Sequence, residues 1–160
     1  MSEISDIIQG KCLAFGDRVI KLNDYLLAQA VAAHDEYKKS KLQKKGKTSS
    51  FIHQTSDISV AAVPVHLQAV SNLCNQLLRA GTSIGANNAE AINAISKADF
   101  KSKSYIALKE ARESLYWIDL LHRNGYLNES QYKSIYADCE ELVKVLVHRC
   151  KKLNENGTEK

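Results

Sequence analysis

Proline occurs once in 160 residues and glycine only seven times, so the chain lacks the turn punctuation that a many-stranded fold needs between its strands. No segment approaches ~18 consecutive apolar residues, which excludes a membrane-spanning helix. The opening residues MSEISDIIQGK carry two acids before the first lysine and no uninterrupted apolar run, which excludes a secretory signal. The expectation is a soluble, cytoplasmic protein without a membrane partner. Cysteines are few and scattered. Cys12, Cys74, Cys139 and Cys150 form no C-x-x-C pair and fall on apolar positions of helical patterns, so each reads as a small buried hydrophobe in a reducing compartment.

Catalytic patterns are missing too. Glu-x-x-His, the pair that four-helix di-metal sites use, does not occur, and Asp119 with His122 is the single Asp-x-x-His. No histidine is tied by spacing to a cysteine or an acid as a nucleophile pair would be. The glycine-containing stretch GTSIGAN lacks G-x-x-x-x-G-K-[ST] and lies inside a helical pattern instead of following a strand. No enzyme activity, metal or cofactor is assigned, and a carboxylate metal-binding bundle stands third among the readings.

Charge is uneven. The chain has 22 basic and 18 acidic residues, but Lys38, Lys39, Lys41, Lys44, Lys45 and Lys47 cluster without an acid among them, and the rest of the chain is 16 against 18. The positive character therefore belongs to one segment. Lys38–Val63 breaks the surrounding periodicity, and it is expected to be a long connector, either a solvated tether or a polyanion-binding arm.

What the sequence does have is helical spacing. Ile4, Ile8, Cys12, Phe15, Val19, Leu22, Leu26, Ala30, Ala33 and Tyr37 step by three or four, predicting a helix over about 4–37. Pro64 suits a first helical turn, and from it Leu67, Val70, Cys74, Leu77, Gly81, Ile84, Asn88, Ala91 and Ile95 form a heptad seam, predicting a helix over 64–95. Gly81 and Gly85 suggest close backbone approach, and Asn88 suggests a register-setting hydrogen bond. Ser96 with Asp99 resembles a capping box and opens a helix over 97–124, closed by Gly125. Asn128 with Gln131, flanked by Leu127 and Tyr132, opens the last one, over 129–153, before a polar tail. These lengths correspond to roughly 38–51 Å at 1.5 Å per residue. They fit an all-α, up-down-up-down four-helix bundle in a single domain.

The third helix divides by angle into three stripes. Ala107, Leu108, Ala111, Leu115 and Ile118 face the bundle. Ile106, Glu110, Glu113 and Trp117 form a flank that a neighbouring helix or a second subunit would cover. Lys101, Tyr105, Lys109, Arg112 and Tyr116 form a basic face with interleaved tyrosines. Cations that pair with phosphates, beside rings that stack on unpaired bases, are the components of RNA or single-stranded DNA binding. A solvated helix face is the competing reading.

The segments RAGTSIGANNAEA, SKADF and IALKEARESLYWIDLL resemble the four-helix-bundle protein family first noticed in intervening sequences of bacterial large-subunit ribosomal RNA genes. The chain is similar more distantly to the accessory proteins of diversity-generating retroelements. On this resemblance Arg79, Gly81, Ser83, Gly85, Asn87, Glu90, Asp99, Phe100, Glu110, Glu113 and Trp117, with Asn88 on the seam between them, are motif or interface positions. None of them has a catalytic role to carry over. The resemblance implies a homo-oligomer, a pentamer in the retroelement proteins, with nucleic acid and a reverse transcriptase as partners. The resulting reading is a non-enzymatic oligomeric bundle acting as a nucleic-acid or ribonucleoprotein accessory module. The alternative is a purely structural or protein-interaction oligomer. Candidate nucleic-acid contacts are Lys101, Tyr105, Lys109, Arg112 and Tyr116, together with Lys38, Lys39, Lys44 and Lys45.

Overall fold

A computed structural model describes residues 3–45 and 58–155. Among them the regular structure is entirely helical: α1 (Glu3–Lys45), α2 (Ile58–Ile92), α3 (Lys97–Arg123) and α4 (Glu129–Glu155). The contacts divide the chain into two units. One comprises Met1–Lys21 with Gln76–Lys160, and the other Leu22–Asn75.

The first unit is an up-down-up-down four-helix bundle, and named contacts fix its order. Along α2, Gly81, Gly85 and Asn88 meet Val19, Cys12 and Gln9 of α1 in turn, so α1 and α2 are antiparallel. Arg79 with Glu113 and Glu90 with Lys103 set α2 against α3. The Tyr105–Asn154, Ala111–Cys139 and Asp119–Tyr132 bonds set α3 against α4. Lys11 pairs with Glu141, and Arg18 with Ser134 and Asp138, which returns α4 to α1 and closes the ring. Inside lie Ile8, Phe15, Val19, Leu77, Ile84, Ile118, Leu121, Leu127, Leu142 and Leu146, all nearly inaccessible to solvent. Each contributes about 1.5–3 kcal/mol by leaving water. In the second unit, Leu26 of α1 and Val70 and Cys74 of α2 are buried.

The helix ends follow the expected chemistry. Asp99 N donates to Ser96 Oγ at 3.1 Å, and Ser96 is extended, as a cap must be. Asn128 and Gln131 cap each other reciprocally at 3.0 and 2.9 Å. Gly125 has φ +76°, and the Gly125 N to His122 O and Tyr126 N to Leu121 O bonds complete a Schellman turn. At the same junction Tyr132 donates to Asp119 Oδ1 at 2.8 Å, a bond that pushes the phenol up to about 12, and the Tyr132 ring stacks on His122 at 4.1 Å. Asp119 and His122 thus serve the α3–α4 turn. Burial raises all four thiols, Cys12 and Cys74 to about 11 and Cys139 to about 12.

Four boundaries differ from the sequence reading by two residues or more. First, α1 continues through Lys38–Lys45, because lysine is a good helix former and its charge is favoured at a helix carboxyl end. Second, α2 begins at Ile58, so Pro64 lies within it and does not open it; proline withholds one hydrogen bond, which a helix of 35 residues tolerates. Third, α2 stops at Ile92, three residues early. Ser96 must be extended to cap α3, and the Asp99 carboxylate takes the Ile95 amide, so Ile95 leaves the seam and is 95% exposed. Fourth, α4 runs on to Glu155. The remainder of the expected connector, 46–57, and of the expected tail, 156–160, lies outside the described residues.

Candidate nucleic-acid interface

Because α3 is pinned to α2 on one side and α4 on the other, its outward residues are set by register alone. Lys109 and Arg112 are exposed, Tyr116 is 57% exposed, and Lys101 and Tyr105 are half-buried. Asn154 donates to the Tyr105 hydroxyl at 2.7 Å, and Tyr116 meets the edge of Trp117 at 4.9 Å between centroids. The predicted basic face therefore exists as one strip. On the α4 side it is extended by Lys151, an exposed cation one turn before Asn154. The sequence reading missed Lys151, because nothing in its spacing tells which residue of α4 reaches Tyr105.

Among the described residues, the cations of this strip take no part in the ion pairs of the bundle. Lys11, Arg18, Arg79, Lys103, Lys133 and Lys144 each hold a carboxylate. Among the described residues no carboxylate pairs with Lys101, Lys109 or Arg112. Their charge is left for solvent or for a polyanion. In the second unit, Lys38 and Lys39 are exposed on α1, and Lys41 lies over the Tyr37 ring at 5.7 Å from its centroid. The backbones of Lys44 and Lys45 form the end of the same helix, while their side chains are outside the described residues.

The motif positions tie helices to one another. Glu113 Oε1 accepts from Arg79 at 2.9 Å and from the Trp117 indole at 3.1 Å, so this flank is partly satisfied within the chain. Glu110 Oε2 is buried without a hydrogen-bond partner. Glu90 pairs with Lys103, and Asn87 donates to Ser83 O at 2.9 Å. Asn88, wholly buried, donates to Gln9 Oε1 at 2.6 Å and accepts from Arg149 at 2.6 Å. The Arg149 guanidinium also lies 5.6 Å from the centroid of the Phe100 ring, and burial depresses its pKa. Among the described residues no three His, Cys, Asp or Glu side chains converge on a point that could hold a metal, and no helix is long and apolar enough to cross a membrane.

At the end of the bundle, beside the α2–α3 turn, lies an open cavity of about 520 Å³, lined by three alanines with Ile92, Phe100, Leu153, Ser96, Lys97 and Lys101. Lys97, Phe100 and Lys101 stand at i, i+3 and i+4, and so continue along the first turn of α3 the stripe that buries Ser104 and Leu108. Lys101 belongs both to this cavity and to the basic strip.

Comparison with curated proteins gives no match. Among solved structures, the fold is shared with a protein of unknown function from the S23 ribosomal protein family of Bacteroides thetaiotaomicron VPI-5482. That protein is 33% identical, with 92% of this chain and 98% of that one covered and a TM-score of 0.64. The sequence profile described as 23S rRNA-intervening sequence protein matches residues 37–148, which takes in the α2–α3 turn, the ties from Arg79 to Glu113 and from Glu90 to Lys103, and the whole basic strip of α3. The chain belongs to the 23S rRNA-intervening sequence protein family.

Proposed function

We propose that this protein is a non-enzymatic, self-associating helical bundle that binds RNA or single-stranded DNA through the outer face of α3, as an accessory module. The observation that carries the reading is the make-up of this one face: Lys101, Lys109 and Arg112 have no carboxylate partner among the described residues and alternate with Tyr105 and Tyr116. Unpaired cations release counterions when they meet phosphates, and tyrosine rings accept unpaired bases whatever their identity. Fluorescence anisotropy with a short unstructured RNA at increasing salt tests this. Affinity should fall steeply with salt, and Lys109→Ala with Arg112→Ala should flatten the log–log slope by about 1.4, that is ~0.7 for each lost single-strand phosphate contact. Absence of binding at low salt, or an unchanged slope in the double variant, refutes it.

A second reading, a purely protein-interacting oligomer, draws on a different observation. Ile4, Ile7, Leu13 and Ile20 of α1 are 44–65% exposed, a concentration of large aliphatics on one helix that a second copy would cover.

A further inference from the structure

The cavity at the α2–α3 turn owes its existence to a break in the seam of α2. After Ala91 the next heptad position is Ile95, whose side chain would close this end of the bundle, but α2 stops at Ile92 and Ile95 turns out to solvent. The vacated space is left to small side chains, Ala91, Ala94 and Ala98, with Ile92 and Leu153 completing an apolar floor. Phe100 supplies one wall, and Arg149, held by Asn88, packs on its ring and braces it. Lys97 and Lys101 stand one helical turn apart, and no acidic residue lines the space. At about 520 Å³ the volume falls within the ~300–1,000 Å³ range of small-molecule sites.

An apolar floor, one aromatic wall and two ammonium groups together suit a planar ring that carries an anion. We propose that this cavity is a slot for one unpaired nucleotide, with the base against Phe100 and the alanine floor and its phosphate between Lys97 and Lys101. The proposal rests on the nucleic-acid reading and deepens it: Lys101 is shared with the basic strip, so a strand lying along α3 delivers a nucleotide to the slot at its amino-terminal end. The strip supplies sequence-independent attraction. The slot supplies a single position at which the base itself counts.

The test separates slot from strip by using two probes on the full-length chain. In the first, adenosine monophosphate is titrated while the methyl resonances of Ala91, Ala94 and Ala98 and the Phe100 ring are followed by NMR. These should shift saturably, and much less with inorganic phosphate or with adenosine alone. Ala98→Leu, which fills an exposed edge of the cavity without touching a charge, should abolish the shifts. In the second, an RNA carrying one abasic site, moved along the strand, should lose roughly tenfold in affinity at one position when base stacking is removed. Ala98→Leu should remove that sensitivity and leave the salt slope intact. Saturable nucleotide shifts without RNA binding would uphold the slot and sink the strip. A steep salt slope without nucleotide shifts, or with shifts that persist in Ala98→Leu, would overturn the slot and leave the strip.

Discussion

Asn88 shows what one polar side chain does inside an otherwise apolar seam. An asparagine with no access to water must find partners for its amide within the protein, and here Gln9 and Arg149 provide them from two other helices. The register of α1, α2 and α4 is thereby locked at one level. Asn88→Ala leaves Gln9 without its donor and Arg149 without its acceptor. Arg149 Nη2 already has no hydrogen-bond partner, so the guanidinium would lose the bond that compensates its burial. The expected cost is about 2–4 kcal/mol in urea unfolding. Asn88→Asp gives Arg149 a charged acceptor, and Gln9 can turn its amide to donate, so this variant should lose less than half as much. Equal losses in the two variants would mean that Asn88 acts by volume alone. The seam position of Asn88 and its need for a partner were legible in the sequence. Which residues would answer that need was not, because Gln9 and Arg149 lie 79 and 61 positions away and neither stands out by type.

At the scale of the helix, glycine separates positions that require the absence of a side chain from those that only tolerate it. A Cβ on Gly81 would stand 3.0 Å from Val19 Cγ2 and 3.3 Å from its Cγ1, and Val19 is wholly buried and branched at Cβ, so it cannot turn aside. A Cβ on Gly85 would meet Cys12 Cβ at 3.4 Å, an ordinary contact, and one on Gly10 or Gly16 would meet nothing within 4 Å. Glycine in a helix interior costs ~1 kcal/mol relative to alanine. Gly10→Ala and Gly16→Ala should therefore each stabilise by about 0.5–1 kcal/mol and Gly85→Ala by somewhat less. Gly81→Ala should destabilise by about 1 kcal/mol or more, since crowding outweighs propensity. Chemical denaturation of the four variants checks the order, and a stabilising Gly81→Ala would contradict the close approach of α1 and α2. The sequence showed Gly81 on the seam and Gly85 near it and suggested close approach at both, but their ranking depends on which α1 side chain lies opposite. The same distinction governs the helix ends. Caps at Ser96, Asn128 and Gly125 were readable because each is a local hydrogen-bond pattern within a few residues. The continuation of α1 to Lys45 and the start of α2 before Pro64 were not, because a lysine run and a proline weaken a helix without dictating where it stops.

For the molecule as a whole, the question is how a weakly attractive surface becomes an effective one. The strip on α3 offers a few cations per protomer, and contacts of that number hold RNA loosely at physiological salt. Assembly changes this, because copies joined in one particle present several strips to one strand, and every contact after the first becomes intramolecular. The bundle carries a surface suited to such assembly on α1, where Leu13 is 60% and Ile20 44% exposed, along with Asp6 and Asp17, which have no ion-pair partner among the described residues. In the four-helix ring α1 and α3 are diagonal, since each is flanked by α2 and α4. Their outer faces therefore look away from each other, and α1 can be covered without obstructing α3. Sedimentation equilibrium should find a mass that rises above 17.8 kDa with concentration. Leu13→Glu with Ile20→Glu should return it to that of a monomer while leaving the melting temperature within a few degrees, because exposed residues contribute little to the protomer's own stability. The same double variant should weaken RNA binding and lower its salt slope although it leaves every residue of the strip in place. If it becomes monomeric yet binds RNA as tightly as the parent chain, the strip acts alone and assembly serves another purpose. If the parent chain is a monomer at all concentrations, the aliphatics of α1 await a different protein partner.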